Sequence, residues 1–310
     1  MRRASLRTRH RLSRSTAAVA LILYAALWAY GTGTGRPAKN ESAKNGDTYP
    51  GYMSPVAERT LMLATTTSVD ATGLLDLLAD EFKNDSGITL KWIAVGTGAA
   101  LKQARDGNAD IVIVHVRKLE DEFLRDGYGV NRRVVARNHF MIVGPADDPA
   151  SVAGSPSAAA ALARIKSSGS PFVSRGDKSG THARELDLWA LAGGMPEAAY
   201  LETGQGMAET LRVAAERRGY TLTDTATFYG LPGLSGLKPV YKNGSELENI
   251  YAVIAVDPAR VRGARYGEAM AFIAFLTSPR GQKLIGEFKG KSGRPLFEPM
   301  AATPGVDLVK

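Results

Sequence analysis

The chain has 310 residues, 44% of them apolar and 23% charged, with no cysteine and a formal net charge of +8. Six of those eight excess charges are arginines within the first fourteen residues, so the remainder carries only +2 and has no basic face interleaved with aromatics. Disulfides, an acylated cysteine anchor and thiolate metal sites are thereby excluded, and nucleic acid is not an expected partner.

Residues 1–35 begin with Arg2, Arg3, Arg7, Arg9, Arg11 and Arg14, continue with an apolar run from Ala17 to Tyr30, and end in Gly31-Thr32-Gly33-Thr34-Gly35. That order is the one found in export signals. The apolar run is shorter than the roughly 18 residues a spanning helix needs, so export is favoured over a permanent anchor. No Ala-x-Ala cleavage site is present, and an uncleaved segment would tether the protein. Residues 36–53 are polar and read as a flexible linker. The rest is long enough for two domains.

From there apolar runs alternate with helical spacing. Leu61 to Ala64 is predicted as a buried strand, followed by a helix carrying Leu74, Leu75, Leu78 and Phe82 and stopped by Gly87. Ile88–Val95 and Asp110–His115 are predicted strands around a helix over Ala99–Arg105, and Lys118–Arg125 is a charged surface helix closed by Gly127. This alternation predicts βαβ units about a mostly parallel sheet. His139–Gly144 is another strand, after which Ser155 and Pro156 are expected to cap and open an alanine-rich helix. Pro171–Ser174, a helix with Leu186, Trp189 and Leu191, a helix opened by Gly204-Gln205-Gly206, and the strand Tyr220–Asp224 form a second series. Ile250–Val256 returns the chain, and two helices, Tyr266–Leu276 and Pro279–Phe288, close it. The expected organisation is one lobe from 54–143 and 250–310, a second from 144–249, crossings near Val143 and Ile250, and a ligand cleft between them.

Three hydroxyl- and glycine-rich junctions stand where strands turn into helices: Thr65-Thr66-Thr67-Ser68, Val95-Gly96-Thr97-Gly98, and Ser174 through His182. Such junctions aim backbone N–H groups, hydroxyls and the positive end of a helix at one spot, which suits an oxyanion. Each could equally serve as a helix cap or tight turn, but three in one chain favour ligand contact. Arg175 adds a planar, permanently charged fork. Asp177 is expected either to cap the next helix or to hold Arg175. No nucleotide fingerprint is complete, and Ser179 and His182 lack the spacing and elbow of a hydrolase. The histidines, His10, His115, His139 and His182, form no metal-binding spacing, so neither metal nor cofactor is expected.

The chain resembles the tungstate-binding proteins of bacterial ABC importers, the TupA type, over about Leu61 to Val256. The resemblance rests on Ala64 through Ser68, Ile93 through Gly98, Asp126 through Arg133, Val173 through His182, Glu202 through Met207 and Tyr220 through Asp224. It departs at Val116-Arg117, where the family carries a small residue and a proline or acid. The resemblance implies a two-lobed (type II) α/β binding protein, each lobe a mostly parallel sheet flanked by helices. It implies an anion site at Thr66, Thr67, Ser68, Gly96, Thr97, Arg175, Ser179, Gly180 and Thr181. It further implies a monomer without enzymatic activity that binds tungstate or molybdate in the periplasm and delivers it to an inner-membrane permease driven by a separate ATPase. The missing cysteine anchor favours a Gram-negative cell. Phosphate or sulfate transport and an exported oxyanion sensor are the alternative readings. Phosphate retains a proton at neutral pH and would call for a carboxylate in the site, for which Asp177 is the nearby candidate.

Overall fold

The computed structural model describes residues 58–301, apart from 232, 234, 235, 243, 291 and 292. The expected signal and linker therefore lie outside the described residues. In chain order, β1 (Thr60–Thr66) leads through the short α1 (Thr67–Asp70) to α2 (Leu74–Ser86), β2 (Thr89–Val95), α3 (Thr97–Arg105), β3 (Ile111–Val114) and α4 (Arg117–Arg125). β4 (Gly129–Pro145) is 17 residues long. Next come α5 (Ala158–Ser168), β5 (Phe172–Ser174), α6 (Gly180–Leu191), β6 (Tyr200–Glu202) and α7 (Met207–Glu216). β7 (Thr221–Asp224), α8 (Thr225–Gly230), β8 (Leu237–Tyr241), β9 (Glu248–Val256), α9 (Tyr266–Thr277), α10 (Pro279–Glu287) and β10 (Glu298–Pro299) complete it.

Local chemistry accounts for most helix ends. Gly87 closes α2 in the left-handed conformation at φ 69°, which glycine adopts without a Cβ penalty. Ser278 caps α10, with Pro279 in the first turn as expected. The start of α5 differs from the sequence expectation. Its cap is Ser157, whose Oγ accepts the Ala160 N–H, while Ser155 Oγ is spent on the Val152 carbonyl at 2.7 Å. The residue before a proline is pushed toward extended backbone, and here Pro156 belongs to the approach rather than to the first turn.

One sheet runs in the order β10-β4-β9-β3-β1-β2. β2, β1 and β3 are parallel, whereas β9 joins β3 antiparallel and β4 joins β9 antiparallel. The strands are covered on both sides, which is why they read as unbroken apolar runs. Leu61, Leu63, Ile111, Ile113 and Val253 face Leu75, Phe82 and Phe272 from α2 and α9. Ala64, Val112, Val114 and Ile254 face Ala100, Leu101 and Phe123 from α3 and α4.

β4 belongs to two sheets. From Gly129 to His139 it pairs with β9, ending at His139 opposite Glu248. From Phe140 to Pro145 it pairs with β7 and β8. β5 runs parallel to β6 and touches β7 through a parallel bridge from Phe172 to Tyr220. This second group has its own two-sided core. Phe140, Ile142 and Phe172 pack on Leu162 and Trp189, and Met141, Val143 and Val173 pack on Met207 and Leu211. Partners change between His139 and Phe140, a few residues ahead of the Val143 expected from sequence.

Candidate functional site

The three junctions singled out in the sequence lie at the carboxyl ends of β1, β2 and β5. Thr66 and Ser68 are buried, with hydroxyl oxygens 3.1 Å apart, while Thr67 is exposed. Thr65 is already committed, because its Oγ1 donates to the Ile113 carbonyl across the sheet at 2.9 Å. Gly96 caps α3 in extended conformation with no side-chain cap. Thr97 is 0% exposed, and its Oγ1 has no hydrogen-bond partner.

The third loop is the most constrained. Arg175 is 3% exposed, and its Nη2 donates to Asp177 Oδ2 at 2.5 Å, while its Nε has no partner. Asp177 Oδ1 accepts the Ser179 N–H at 3.1 Å. Asp177 thus holds Arg175 and shapes the loop, and the cap of α6 is Ser179, whose Oγ accepts the His182 N–H. His182 Nδ1 accepts the Lys178 N–H at 3.0 Å, which leaves the imidazole proton on Nε2 when the ring is neutral. Thr181 is 1% exposed and its Oγ1 is also unpartnered.

The junctions converge. A Cβ built on Gly96 would stand 3.9 Å from the Lys178 carbonyl and from Ser179 Cα, so the starts of α3 and α6 meet. Gly180 is pressed against His115, where a Cβ would lie 2.5 Å from the ring Cε1 and 3.0 Å from Val116 Cγ2. Thr67 and Ser68 border a pocket of about 140 Å³ that Gly206 and Met207, at the start of α7, and Thr227 help to close. A wider groove of about 500 Å³ is lined by His115, Arg117, Arg132, Arg184 and Glu248, and by none of the nine sequence candidates.

Polar residues that the sequence did not single out lie behind the loops: Asn138 on β4, Asp224 ending β7, and Asn249 and Tyr251 on β9, all buried. His115 Nδ1 is 2.7 Å from Asn249 Oδ1. Burial chiefly holds His115 down to about 4, and the nearby Arg175 and Arg184 add to this against the Asn249 bond, so the ring is neutral. Burial raises Asp224, opposed by bonds from Thr227 and by Arg175. Glu185 on α6 is pushed up to about 7 by burial, against hydrogen bonds from Tyr200 and Ser174. The signal that could have found these residues is a polar side chain inside a predicted strand.

Gly180→Ala is expected to destabilise the fold by about 1–3 kcal/mol, because His115 is held by Asn249 and the start of α6 must retreat. Urea unfolding checks this beside Gly98→Ala, where a Cβ meets nothing within 4 Å and no loss is expected.

A family model described as a PBP superfamily domain matches residues 38–280. The chain is 47% identical over 247 residues to a protein of Haloferax volcanii provisionally named an ABC transporter anion-binding protein, covering 78% of this chain and 72% of that one. It is 41% identical over 250 residues to the tungstate-binding protein TupA of Peptoclostridium acidaminophilum, covering 79% and 87%. The solved tungstate-binding protein TupA of Desulfovibrio alaskensis is 45% identical, covers 78% of this chain and 98% of its own, and superposes with a TM-score of 0.67.

Proposed function

The chain belongs to the PBP superfamily and, within it, to the tungstate-binding proteins, and from that premise we propose that it captures tungstate, or molybdate, for an ABC importer. The observation that carries the oxyanion reading is a set of three buried, unpartnered groups, Thr97 Oγ1, Arg175 Nε and Thr181 Oγ1, on loops that meet. A buried polar group left without a partner costs about 1–3 kcal/mol. An anion accepting from all three removes that cost and gains a charge-assisted bond from the guanidinium.

Thr66, Thr67, Ser68, Gly96, Thr97, Arg175, Ser179, Gly180 and Thr181 are the proposed cage, with hydroxyls and helix-start N–H groups as donors. Asp177 offers no acceptor to a protonated anion, since one oxygen serves Arg175 and the other the Ser179 N–H. That favours the fully deprotonated tungstate and molybdate over phosphate. Binding without chemistry is favoured by the same loop, where Ser179 Oγ caps α6 and His182 Nδ1 is occupied by Lys178. The two lobes are proposed as the two sheet groups, hinged where β4 changes partners at His139–Phe140 and where β9 begins at Glu248. Closure about that hinge would exclude water and strengthen each bond. The closed monomer would dock on an inner-membrane permease with a separate ATPase after export to the periplasm.

Calorimetric titration of the full chain with tungstate, molybdate, sulfate and phosphate tests the reading. Tight tungstate binding with silent phosphate is the expected result. Phosphate binding in place of tungstate would reassign the carrier, and no heat from any of the four would remove the oxyanion site.

A further inference from the structure

Behind Thr66 and Ser68 lies a buried chain of hydrogen bonds whose direction is fixed, and its effect on a ligand rests on the proposed cage, in which those two hydroxyls face the anion. The direction starts at Asp224. Its Oδ1 accepts the Thr227 backbone N–H at 2.9 Å, and an amide N–H can only donate. The same oxygen receives Asn138 Nδ2 at 3.1 Å, which sets the Asn138 amide. Asn138 Oδ1 then faces Asn249, which donates from Nδ2 at 2.8 Å. Both amides also donate to the phenol oxygen of Tyr251, at 3.3 Å from Asn138 and 2.8 Å from Asn249.

An oxygen that receives two N–H donors must send its own proton elsewhere. Ser68 stands within hydrogen-bonding reach of the Tyr251 hydroxyl. We infer that Tyr251 is a specificity-determining residue: by donating to Ser68 Oγ it occupies the lone pair with which Ser68 could accept a proton from a bound anion. Ser68 and Thr66 hold two protons between them and use one in their mutual 3.1 Å bond. The other is left for the ligand. This wall of the site can donate and cannot accept, so it admits tungstate, molybdate and sulfate and penalises phosphate, which carries a proton at neutral pH. Burial and the neighbouring Asp224 keep the phenol protonated, so the donor is permanent.

Tyr251→Phe is a mild change to the network, because each amide keeps another acceptor, Asn138 Oδ1 for Asn249 and Asp224 Oδ1 for Asn138. The test is calorimetry of the full chain at pH 7.5 with tungstate, phosphate and sulfate, on the parent, Tyr251→Phe, Ser68→Ala and the double variant. Phosphate affinity relative to tungstate should rise about tenfold in Tyr251→Phe, the scale of one hydrogen bond gained. Sulfate relative to tungstate should not change, because sulfate has no proton to place. In the Ser68→Ala background, Tyr251→Phe should have no such effect. An unchanged phosphate ratio overturns the inference, as does an equal gain for sulfate, which would mark simple loosening, or a shift that survives Ser68→Ala. A parent protein that fails to bind tungstate overturns the transport reading itself, and that outcome is read before any variant is made.

Discussion

Arg175→Ala is expected to lower tungstate affinity by about 30- to 3,000-fold, the range for truncating one member of a buried, hydrogen-bonded charge pair. The guanidinium is almost fully buried, with one edge on Asp177 and an unpartnered Nε on the other. Removing it deletes the only formal positive charge that the three junctions contribute to the cage. It also leaves the Asp177 carboxylate with just the Ser179 N–H, so a negative charge remains where a dianion must enter. Arg175→Lys should recover only part of the loss, because a single ammonium cannot grip Asp177 and the anion with two edges of a plane. Titration calorimetry reads both variants directly. Affinity within threefold of the parent in Arg175→Ala would take this residue out of the site and leave the cage without a counter-charge.

The second large effect lies away from the cage. Glu120 on α4 is 1% exposed, paired to Arg132, and its Oε1 has no partner. Burial raises its carboxyl above the usual range, while Arg132 and Arg117 pull the other way. Arg132→Ala removes the larger opposing charge and is expected to destabilise the fold by about 3–5 kcal/mol at neutral pH, the cost of a buried charge without its partner. The pH dependence has a definite sign. A carboxyl whose folded value lies above its unfolded value binds more protons in the folded state, so stability falls as pH rises between the two. Losing Arg132 widens that window upward. Urea unfolding should therefore show a larger loss at pH 8 than at pH 5.5. Equal losses at both would mean that Glu120 does not carry the effect.

Where elements are short, apolar and bounded by glycine, the sequence locates them closely, as at α2, β3 and α9. β4 is the instructive exception. Only its apolar end, His139 to Gly144, reads as a strand, yet it spans Gly129 to Pro145. Its first half carries Asn131, Arg132, Arg133, Arg137 and Asn138, and two register shifts against β9 break the alternation that would betray a strand. β8 is hidden by Lys238 and Pro239 inside a five-residue segment. In the site, the hydroxyl clusters and Arg175 are visible because their chemistry is local. Thr65 shows the limit of that view, since its hydroxyl is spent on β3. Asn138, Asp224, Asn249 and Tyr251 are invisible because each has meaning only beside residues far away in the chain.

Asn138 and Asn249 meet across β4 and β9 although 111 positions separate them. That distance governs how the chain assembles. Closing so long a segment costs entropy that grows with the logarithm of its length, and folds that depend on remote pairings form slowly. The intervening segment has its own sheet and core, and once it has formed, the beginning of β9 is already delivered to the end of β4. Until then β3, Ile111 to Val114, has β1 on one side and nothing on the other, because its second neighbour is β9. During synthesis, an apolar strand edge near the middle of the molecule therefore stays open while more than a hundred further residues are made. Aggregation of nascent chains should begin there, and a holding chaperone that covers Ile111–Val114 would protect the protein most in that interval.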